Sequence, residues 1–236
     1  MNSNISNPVG DSKVIVTNQT GIHEKLDEVV QKHLTHPFQK PYQAHTQKAF
    51  DDINEQVQAF LEKNPDGKVI LDSCCGVGQS TRLLATLNPN NLVIGVDKSS
   101  SRIERNVEGF DVDSGYQAAN YHLVRADLND FYRLVKAANW PITKHYILYP
   151  NPWPKSKHLQ RRWHGSAVFP TLITLGHQII LRSNWRLYLE EFQQAAKQVN
   201  LSGDLVALDV SDQPLTPFEA KYQASGQVCW QLTFTR

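Results

Sequence analysis

Residues 68–97 read KVILDSCCGVGQSTRLLATLNPNNLVIGVD, and this stretch combines two strand patterns with one helical pattern. KVILDS and NLVIGVD are short runs rich in Val and Ile, which is typical of buried strands. STRLLATL lies between them and has its apolar residues at helical spacing. The stretch therefore predicts a βαβ unit with two parallel strands.

The same alternation continues on both sides of this unit. A helix is predicted over residues 46–63, before the first strand. After the second strand, further strands are predicted at YHLVRAD, HYILY and QIILRS, and helices at SSRIERNV, NDFYRLVKAA, VFPTLITLG and RLYLEEFQQAAKQV. Strands that alternate with helices predict an α/β fold with a doubly wound, mostly parallel, Rossmann-like sheet.

The C-terminal part of the chain has a different pattern. GDLVALDV and QVCWQLTF predict two strands, and the polar stretch between them predicts no long helix. We expect an antiparallel strand pair at one edge of the sheet. At 236 residues the chain is long enough for one substantial core. We therefore predict a single domain over residues 45–236, preceded by an N-terminal extension, residues 1–44, that is partly flexible.

Acidic residues end three successive predicted strands. They are Asp72, Asp97 and Asp127, and the first is followed by a loop that contains Gly76 and Gly78. In a doubly wound sheet ligands bind at the carboxyl ends of the strands, where such side chains meet. Each aspartate alone is also typical of a helix N-cap, but three at successive strand ends favour a nucleoside site.

The spacing of the loop distinguishes between two kinds of nucleoside. A carboxylate about twenty residues after Gly76, here Asp97, suits two ribose hydroxyls. Thr81 stands where G-x-G-x-x-G motifs have their third glycine, which argues against a pyrophosphate cradle. S-adenosyl-L-methionine carries an ammonium and a sulfonium instead of phosphates, and Asp72 would suit those charges.

The positive charge of the chain is concentrated in one segment. The whole sequence has a net charge of only +1, but residues 131–189 contain no Asp or Glu. This segment carries Arg133, Lys136, Lys144, Lys155, Lys157, Arg161, Arg162, Arg182 and Arg186. Such a segment predicts either a positive surface for a polyanion or charges that point separately into solvent.

Residues 149–165 read YPNPWPKSKHLQRRWHG, with three alternating prolines, two tryptophans and a basic tail. Each proline fixes φ and removes a backbone donor, so this segment predicts a rigid turn at the end of a strand. The segment resembles the aromatic-Pro-Asp-Pro-Trp-Pro-Lys-Lys-x-His run of the bacterial tRNA (guanine-N7)-methyltransferases. TPFE at residues 216–219 resembles a second element of that family, and the likeness covers roughly residues 45–236.

The resemblance implies a class I methyltransferase fold, S-adenosyl-L-methionine as cofactor and tRNA as partner. It implies a cofactor site made of Asp72, Cys74, Gly76, Gly78, Asp97, Asp127 and Asn151. It implies a substrate site made of Trp153, Lys155, Lys157, Arg161, Arg162, Asn184, Thr216, Phe218 and Glu219. In this interpretation the prolines aim Asn151 at the target base, Trp153 stacks on RNA, and the basic residues hold phosphates.

Three positions depart from the family pattern. Cys74 replaces a loop glycine, and Asn151 and Asn184 replace aspartates, of which the first is assigned a catalytic role in the family. A carboxylate would stabilise the positive charge that develops on guanine, whereas an amide offers only its carbonyl dipole. Guanine N7 has a free lone pair and needs no general base, so positioning can still provide catalysis. We therefore expect activity, with Asn151 as the catalytic residue.

Two other functions remain open at this stage. Asn151, Pro152 and Trp153 are similar to the Asn-Pro-Pro-aromatic element of enzymes that methylate exocyclic amino groups, although the second proline is missing. The other alternative is a non-catalytic homologue that binds S-adenosyl-L-methionine or RNA and has lost two carboxylates.

The remaining features of the sequence exclude several classes. Three cysteines fit neither a disulfide framework nor a zinc site, and no other spacing predicts a metal. No apolar run is long enough to span a bilayer, and the polar N-terminus lacks the features of a signal peptide. We expect a cytoplasmic protein without a membrane partner. The sequence does not distinguish a monomer from a homodimer.

Overall fold

The computed structural model describes residues 10–108 and 120–236, and its centre is a seven-stranded sheet. The strands are β1 (Val69–Ser73), β2 (Leu92–Asp97), β3 (Tyr121–Arg125), β4 (Ile142–Leu148), β5 (Gln178–Ser183), β6 (Gly203–Ala207) and β7 (Trp230–Thr235). Their order is β3-β2-β1-β4-β5-β7-β6, and β7 is antiparallel to both of its neighbours. The predicted doubly wound, mostly parallel sheet is confirmed.

Helices cover both faces of this sheet. They are α1 (Leu26–Thr35), α2 (Ala44–Lys63), α3 (Gln79–Leu87), α4 (Ser100–Glu108), α5 (Leu128–Ala137), α6 (Phe169–Leu172), α7 (Arg186–Lys197) and α8 (Pro217–Ala224). The larger apolar core lies under α1, α2, α5, α6 and α7, and a smaller one lies under α3. Strands β1 and β2 are buried along their whole length. β1 lies between β2 and β4, so the carboxyl ends of these three strands are neighbours.

Close contact between α3 and β2 depends on a glycine in the strand. A Cβ at Gly95 would lie 2.3 Å from the Thr81 hydroxyl and 2.7 Å from the Leu123 side chain. G-x-G-x-x-G motifs place their small residue on the helix. Here the small residue is on the strand, and the helix keeps a buried threonine that can donate a hydrogen bond at the site.

The predicted antiparallel strand pair is confirmed at one edge of the sheet, where β6 is the outermost strand and β7 lies between it and β5. Two other predicted elements differ in detail from the observed ones. The segment predicted as a helix at VFPTLITLG is helical only over α6, four residues. Its apolar residues are buried in turns as well as in the helix, so their pattern did not report helical periodicity. The polar stretch before β7 contains the eight-residue helix α8, which Thr216 caps.

The N-terminal part of the described chain lies along the domain. From Gly10 to His23 it forms no helix or strand and bonds to residues far away in sequence. Helix α1 buries Leu26 and Val30 in the larger core. The boundary that we predicted between an extension and a domain, after residue 44, stays a prediction.

Candidate functional site

The loop that follows β1, residues 74–78 (the glycine loop), lies between the ends of two other strands. In the sheet register Ser73 is opposite Val96 of β2 on one side and Ile147 of β4 on the other. The backbone N–H of Cys75 donates to the Val96 carbonyl at 3.2 Å. The glycine loop therefore lies where the carboxyl ends of β1, β2 and β4 come together.

The glycine loop has a left-handed backbone at alternate residues. Cys74, Gly76 and Gly78 have φ values of 61°, 59° and 76°. A Cβ on Gly76 would meet nothing within 4 Å, so this glycine borders open space. A ligand can approach the backbone there, where a side chain would intrude. Cys74 adopts the same conformation with a side chain, which costs about 1–2 kcal/mol relative to glycine. Its side chain packs against the larger core.

Asp97 fixes the tip of this loop. One carboxylate oxygen accepts from the Gly76 N–H at 3.1 Å, and the other accepts from the Ser99 N–H at 2.8 Å. A carboxylate has about four acceptor positions, so about two remain for a ligand. The contact between Asp97 and two ribose hydroxyls stays a prediction.

Asp72 is fully buried beneath the loop. Its Oδ2 accepts from the hydroxyls of Ser80 and Thr81, both at 2.7 Å, while its Oδ1 has no hydrogen-bond partner. Burial raises the pKa of Asp72 to about 6, and the two hydroxyls only partly oppose this shift. An unpartnered buried carboxylate oxygen is costly, and a cationic or N–H donor on a ligand would satisfy it. Sequence reasoning missed the two hydroxyls.

Asp127 has a structural role in addition to any ligand role. Its Oδ1 accepts from the backbone N–H of Asn129 at 2.9 Å and from the Asn129 side chain at 2.8 Å, so it caps helix α5. Its own N–H donates to Thr46 of α2. The alternative that the sequence left open for each aspartate, a helix N-cap, applies here. The cap uses only Oδ1 of this carboxylate.

Residues 149–155 (the proline loop) follow β4 at the same edge. Tyr149 and Trp153 have positive φ values, 49° and 45°, and they flank Asn151. Asn151 is exposed, and its Oδ1 accepts from the Trp153 N–H at 3.3 Å. Two residues held in the left-handed region each cost about 1–3 kcal/mol, and such strain concentrates at functional sites. The loop therefore presents the Asn151 amide to solvent in a defined direction.

The two adjacent arginines after this loop have opposite environments. Arg161 is exposed and lies over the Trp153 ring at 4.6 Å, beside the exposed Lys155 and Lys157. Arg162 is fully buried and forms an ion pair with Glu191 at 2.5 Å. The sequence predicted a phosphate contact for Arg162, and its burial argues against that role. It packs inside because it donates to the carbonyls of Trp153 and Lys155.

Helix α8 forms a second wall near the proline loop. Thr216 caps the helix by accepting from the Glu219 N–H at 3.0 Å, and Phe218 is exposed. Glu219 is buried and pairs with Arg182 at 2.8 Å, and its other oxygen has no partner. Tyr149 packs against Tyr222 of this helix, with ring centroids 5.5 Å apart.

Asn184 follows β5 at the base of this wall. Its side chain N–H donates to Gln227 Oε1 at 2.9 Å, and Gln227 donates in turn to the Ser12 carbonyl at 2.8 Å. A carboxylate at position 184 could not donate to Gln227 Oε1. It could bond to Gln227 only if the Gln227 amide turned over and presented its N–H instead. Sequence reasoning did not identify Arg182 or Gln227 as part of this site.

The described residues contain neither a candidate metal site nor a candidate membrane-spanning helix. Residues 10–108 and 120–236 contain no group of three His, Cys, Asp or Glu placed to hold a metal ion. In the same ranges, every helix is too short or too polar to cross a bilayer.

Comparisons with known proteins agree with this geometry. The family model Methyltransf_4, described as "Putative methyltransferase", matches residues 66–232. A protein of Streptococcus equi subsp. zooepidemicus named tRNA (guanine-N(7)-)-methyltransferase is 28% identical over 206 residues, which is 75% of this chain and 95% of that protein. A protein of the same name from Lysinibacillus sphaericus is 28% identical over 186 residues, 73% of this chain and 81% of its own.

Solved structures share the fold. The crystal structure of the 16S rRNA methyltransferase KamB has a TM-score of 0.55 at 16% identity, covering 78% of this chain and 93% of its own. A structure titled as an antibiotic-related methyltransferase has a TM-score of 0.53 at 16% identity, covering 79% and 93%. At this level of identity the likeness describes architecture only.

Proposed function

The chain belongs to the Methyltransf_4 family of methyltransferases, and we propose that it transfers a methyl group from S-adenosyl-L-methionine to N7 of a guanine in tRNA. One observation carries this proposal. The glycine loop, with Asp72 and Asp97 beside it, and the proline loop, with the exposed basic residues that follow it, lie at the same carboxyl edge of the sheet. Relatives of this chain are named for this reaction.

The cofactor site supports this choice of methyl donor. Bound S-adenosyl-L-methionine supplies a methyl group activated by a sulfonium cation. The two remaining acceptor positions of Asp97 would bind the ribose hydroxyls, and the open space at Gly76 would receive the nucleoside. The unpartnered Oδ1 of Asp72 would accept from the ammonium group. We propose a more peripheral contact for Asp127, because its cap leaves one oxygen free.

The substrate site lies between the proline loop and α8. We propose that Trp153 stacks on a nucleotide and that Lys155, Lys157 and Arg161 contact phosphates, since all three basic residues are exposed around that ring. Glu219, Thr216 and Phe218 would line the opposite wall, with Asn184 at its base. Arg162 is left out of this surface because it is buried.

The chemistry requires little from the protein beyond positioning. During transfer the carbon–sulfur bond breaks as a carbon–N7 bond forms, and no proton has to leave guanine. A general base is therefore unnecessary, and alignment of the reacting atoms supplies most of the acceleration. The exposed Asn151 amide would orient the guanine edge, and its carbonyl dipole would face the positive charge that develops on the ring. We propose the cytoplasm as the compartment, because the proposed substrate is tRNA.

A product analysis tests the proposal directly. The purified protein is incubated with methyl-labelled S-adenosyl-L-methionine and a tRNA transcript, and the nucleosides are then separated. We expect labelled 7-methylguanosine. A transcript made with 7-deazaguanosine is the matched control, because it has carbon in place of N7 and should stay unlabelled. Label on an exocyclic amine, or no label on any tRNA tested, would contradict the proposal and favour one of the two alternatives.

A further inference from the structure

Residues 10–23 (the strap) connect the two walls of the proposed substrate site. At one end the Gly10 N–H donates to the Ala224 carbonyl at 2.9 Å, and the Ser12 N–H donates to the Ser225 hydroxyl at 3.0 Å. A Cβ on Gly10 would lie 2.2 Å from the Ser225 oxygen, so the chain touches the end of α8. The strap therefore begins on the wall that carries Glu219.

The middle of the strap bonds to the proline loop and the residue after it. The Thr17 hydroxyl donates to the Pro154 carbonyl at 2.5 Å. Asn18 and Ser156 form a reciprocal pair, in which the Ser156 N–H donates to Asn18 Oδ1 at 3.0 Å and the Asn18 amide donates to the Ser156 hydroxyl at 3.3 Å. A proline offers no N–H, so these carbonyl and flanking contacts are the ones available to fix the loop.

The far end of the strap reaches a buried ionic cluster around Glu191. One oxygen of Glu191 accepts from the Gln19 side chain and from the His23 N–H, and the other accepts from Arg162 and His164. Burial opposes the charge, but the contacts with His164 and Arg162 lower the pKa of Glu191 to about 2. Burial lowers the pKa of His164, and its contact with Glu191 opposes that shift. All four acceptor positions of the carboxylate are therefore occupied.

Arg162 links this cluster to the proline loop through hydrogen bonds. Besides Glu191, it donates to Gln19 Oε1 at 3.0 Å and to the Trp153 carbonyl at 3.1 Å. The strap thus contacts the loop directly through Thr17 and indirectly through Gln19 and Arg162, and Asn18 contacts the residue that follows the loop. Trp153 has an unfavourable backbone conformation, and strain of this kind persists only where surrounding contacts enforce it.

We propose that the strap holds the proline loop in the conformation that receives the target base, with Thr17, Asn18 and Gln19 as positioning residues. This inference rests on the proposed function for its catalytic consequence. Its mechanical part, that the strap restrains the loop, stands on the hydrogen bonds alone. The strap touches the loop from outside and contributes no group to methyl transfer.

Thr17 permits a matched set of variants. Thr17→Val removes the hydroxyl at nearly constant shape, Thr17→Ser keeps it, and Thr20→Val alters an exposed threonine on the same strap. Hydrogen exchange of residues 151–161 is measured by mass spectrometry, together with kcat and KM for tRNA. Thr17→Val loses the bond to the Pro154 carbonyl and the bond that the hydroxyl accepts from the Gln19 N–H. Loss of the Pro154 bond alone should speed exchange about fivefold. We expect kcat to fall by a similar factor, with the affinity for S-adenosyl-L-methionine unchanged and Thr17→Ser close to wild type.

The outcomes separate the two parts of the inference. Equal exchange rates in Thr17→Val and Thr20→Val would overturn the mechanical part, that the strap restrains the loop. Faster exchange in Thr17→Val without any loss of kcat would overturn the catalytic part. Asn18→Ala provides a second test at an exposed position that should not affect folding, and it should speed exchange of the Ser156 amide. If the wild type methylates no tRNA, the proposed function fails, while the exchange rates still show whether the strap restrains the loop.

Discussion

The carboxylate of Asp97 bonds to the backbone N–H of Gly76, so the end of β2 holds the tip of the glycine loop that follows β1. The same carboxylate also holds the Ser99 N–H, and Arg102 lies 3.5 Å from it. One side chain therefore combines two tasks. It shapes the loop, and we propose that its remaining acceptor positions bind a ribose.

Asp97→Asn should weaken S-adenosyl-L-methionine binding. The amide that replaces one oxygen would point an N–H at a backbone donor and would lose charge-assisted hydrogen bonds to the hydroxyls. Such bonds contribute about 1.5–3 kcal/mol, so we expect Kd to rise roughly 10- to 100-fold. Isothermal titration calorimetry measures this. Asp51→Asn, at an exposed position of α2, makes the same chemical change away from the site and is the control. An unchanged Kd for Asp97→Asn would remove this residue from the cofactor site.

The raised pKa of Asp72 predicts that the ligand-free protein loses stability as the pH rises from about 4 to about 6. Below its unfolded pKa of 3.8 the carboxyl is protonated in both states, so burial carries no charge penalty. Above the folded pKa of about 6 the penalty is complete, on the order of 3 kcal/mol. Denaturant unfolding across this pH range should show the loss, and Asp72→Asn should flatten it.

The same carboxyl should couple cofactor binding to pH. A cationic ligand favours ionised Asp72, so binding below pH 6 should release a proton and affinity should decrease as the pH falls. Titrations in buffers of different ionisation enthalpy measure that proton. Equal proton release by wild type and Asp72→Asn would show that another group is responsible.

The carboxyl edge of the sheet was predictable because its residues are constrained locally. The strand patterns placed Asp72 and Asp97 at adjacent parallel strand ends, and parallel strands necessarily share an edge. The left-handed backbone of Cys74 was suggested only by its alignment with a glycine, and the structure shows φ of 61° there. Asp127 was less decidable, since the same side chain can cap a helix and face a ligand.

The environments of the distant contacts were not predictable. Arg161 and Arg162 are neighbours of equal charge, yet a 3-10 turn over Ser156–Arg161 ends between them and turns only the second inward. Its partner Glu191 lies 29 residues away, and the bond from Thr17 to Pro154 spans 137 residues. No local period encodes such pairs, because they depend on how the whole chain packs.

Asn151→Asp should raise the turnover of the proposed reaction. The substituted carboxylate can still accept from the Trp153 N–H, so the loop geometry should persist. A carboxylate charge would stabilise the positive charge that develops on guanine more strongly than the amide dipole does. We expect kcat to increase several-fold, by about 1 kcal/mol of transition-state stabilisation, with little change in cofactor affinity. Rapid-quench measurement of single-turnover rates tests the chemical step itself. Equal or slower transfer would show that this site has adapted around the amide.

Replacing each of the adjacent arginines by alanine should separate RNA binding from stability. Arg161→Ala should weaken tRNA binding and reduce the slope of log Kd against log salt by about one phosphate contact, with the free energy of unfolding nearly unchanged. Arg162→Ala removes the guanidinium partner of the buried Glu191 carboxylate, which should cost about 3–5 kcal/mol of stability. Filter binding over a salt series and denaturant unfolding measure the two effects. Lys25→Ala, on the exposed start of α1, controls for removal of a positive charge. If Arg161→Ala keeps the wild-type salt slope, Arg161 makes no phosphate contact and is not part of the RNA surface.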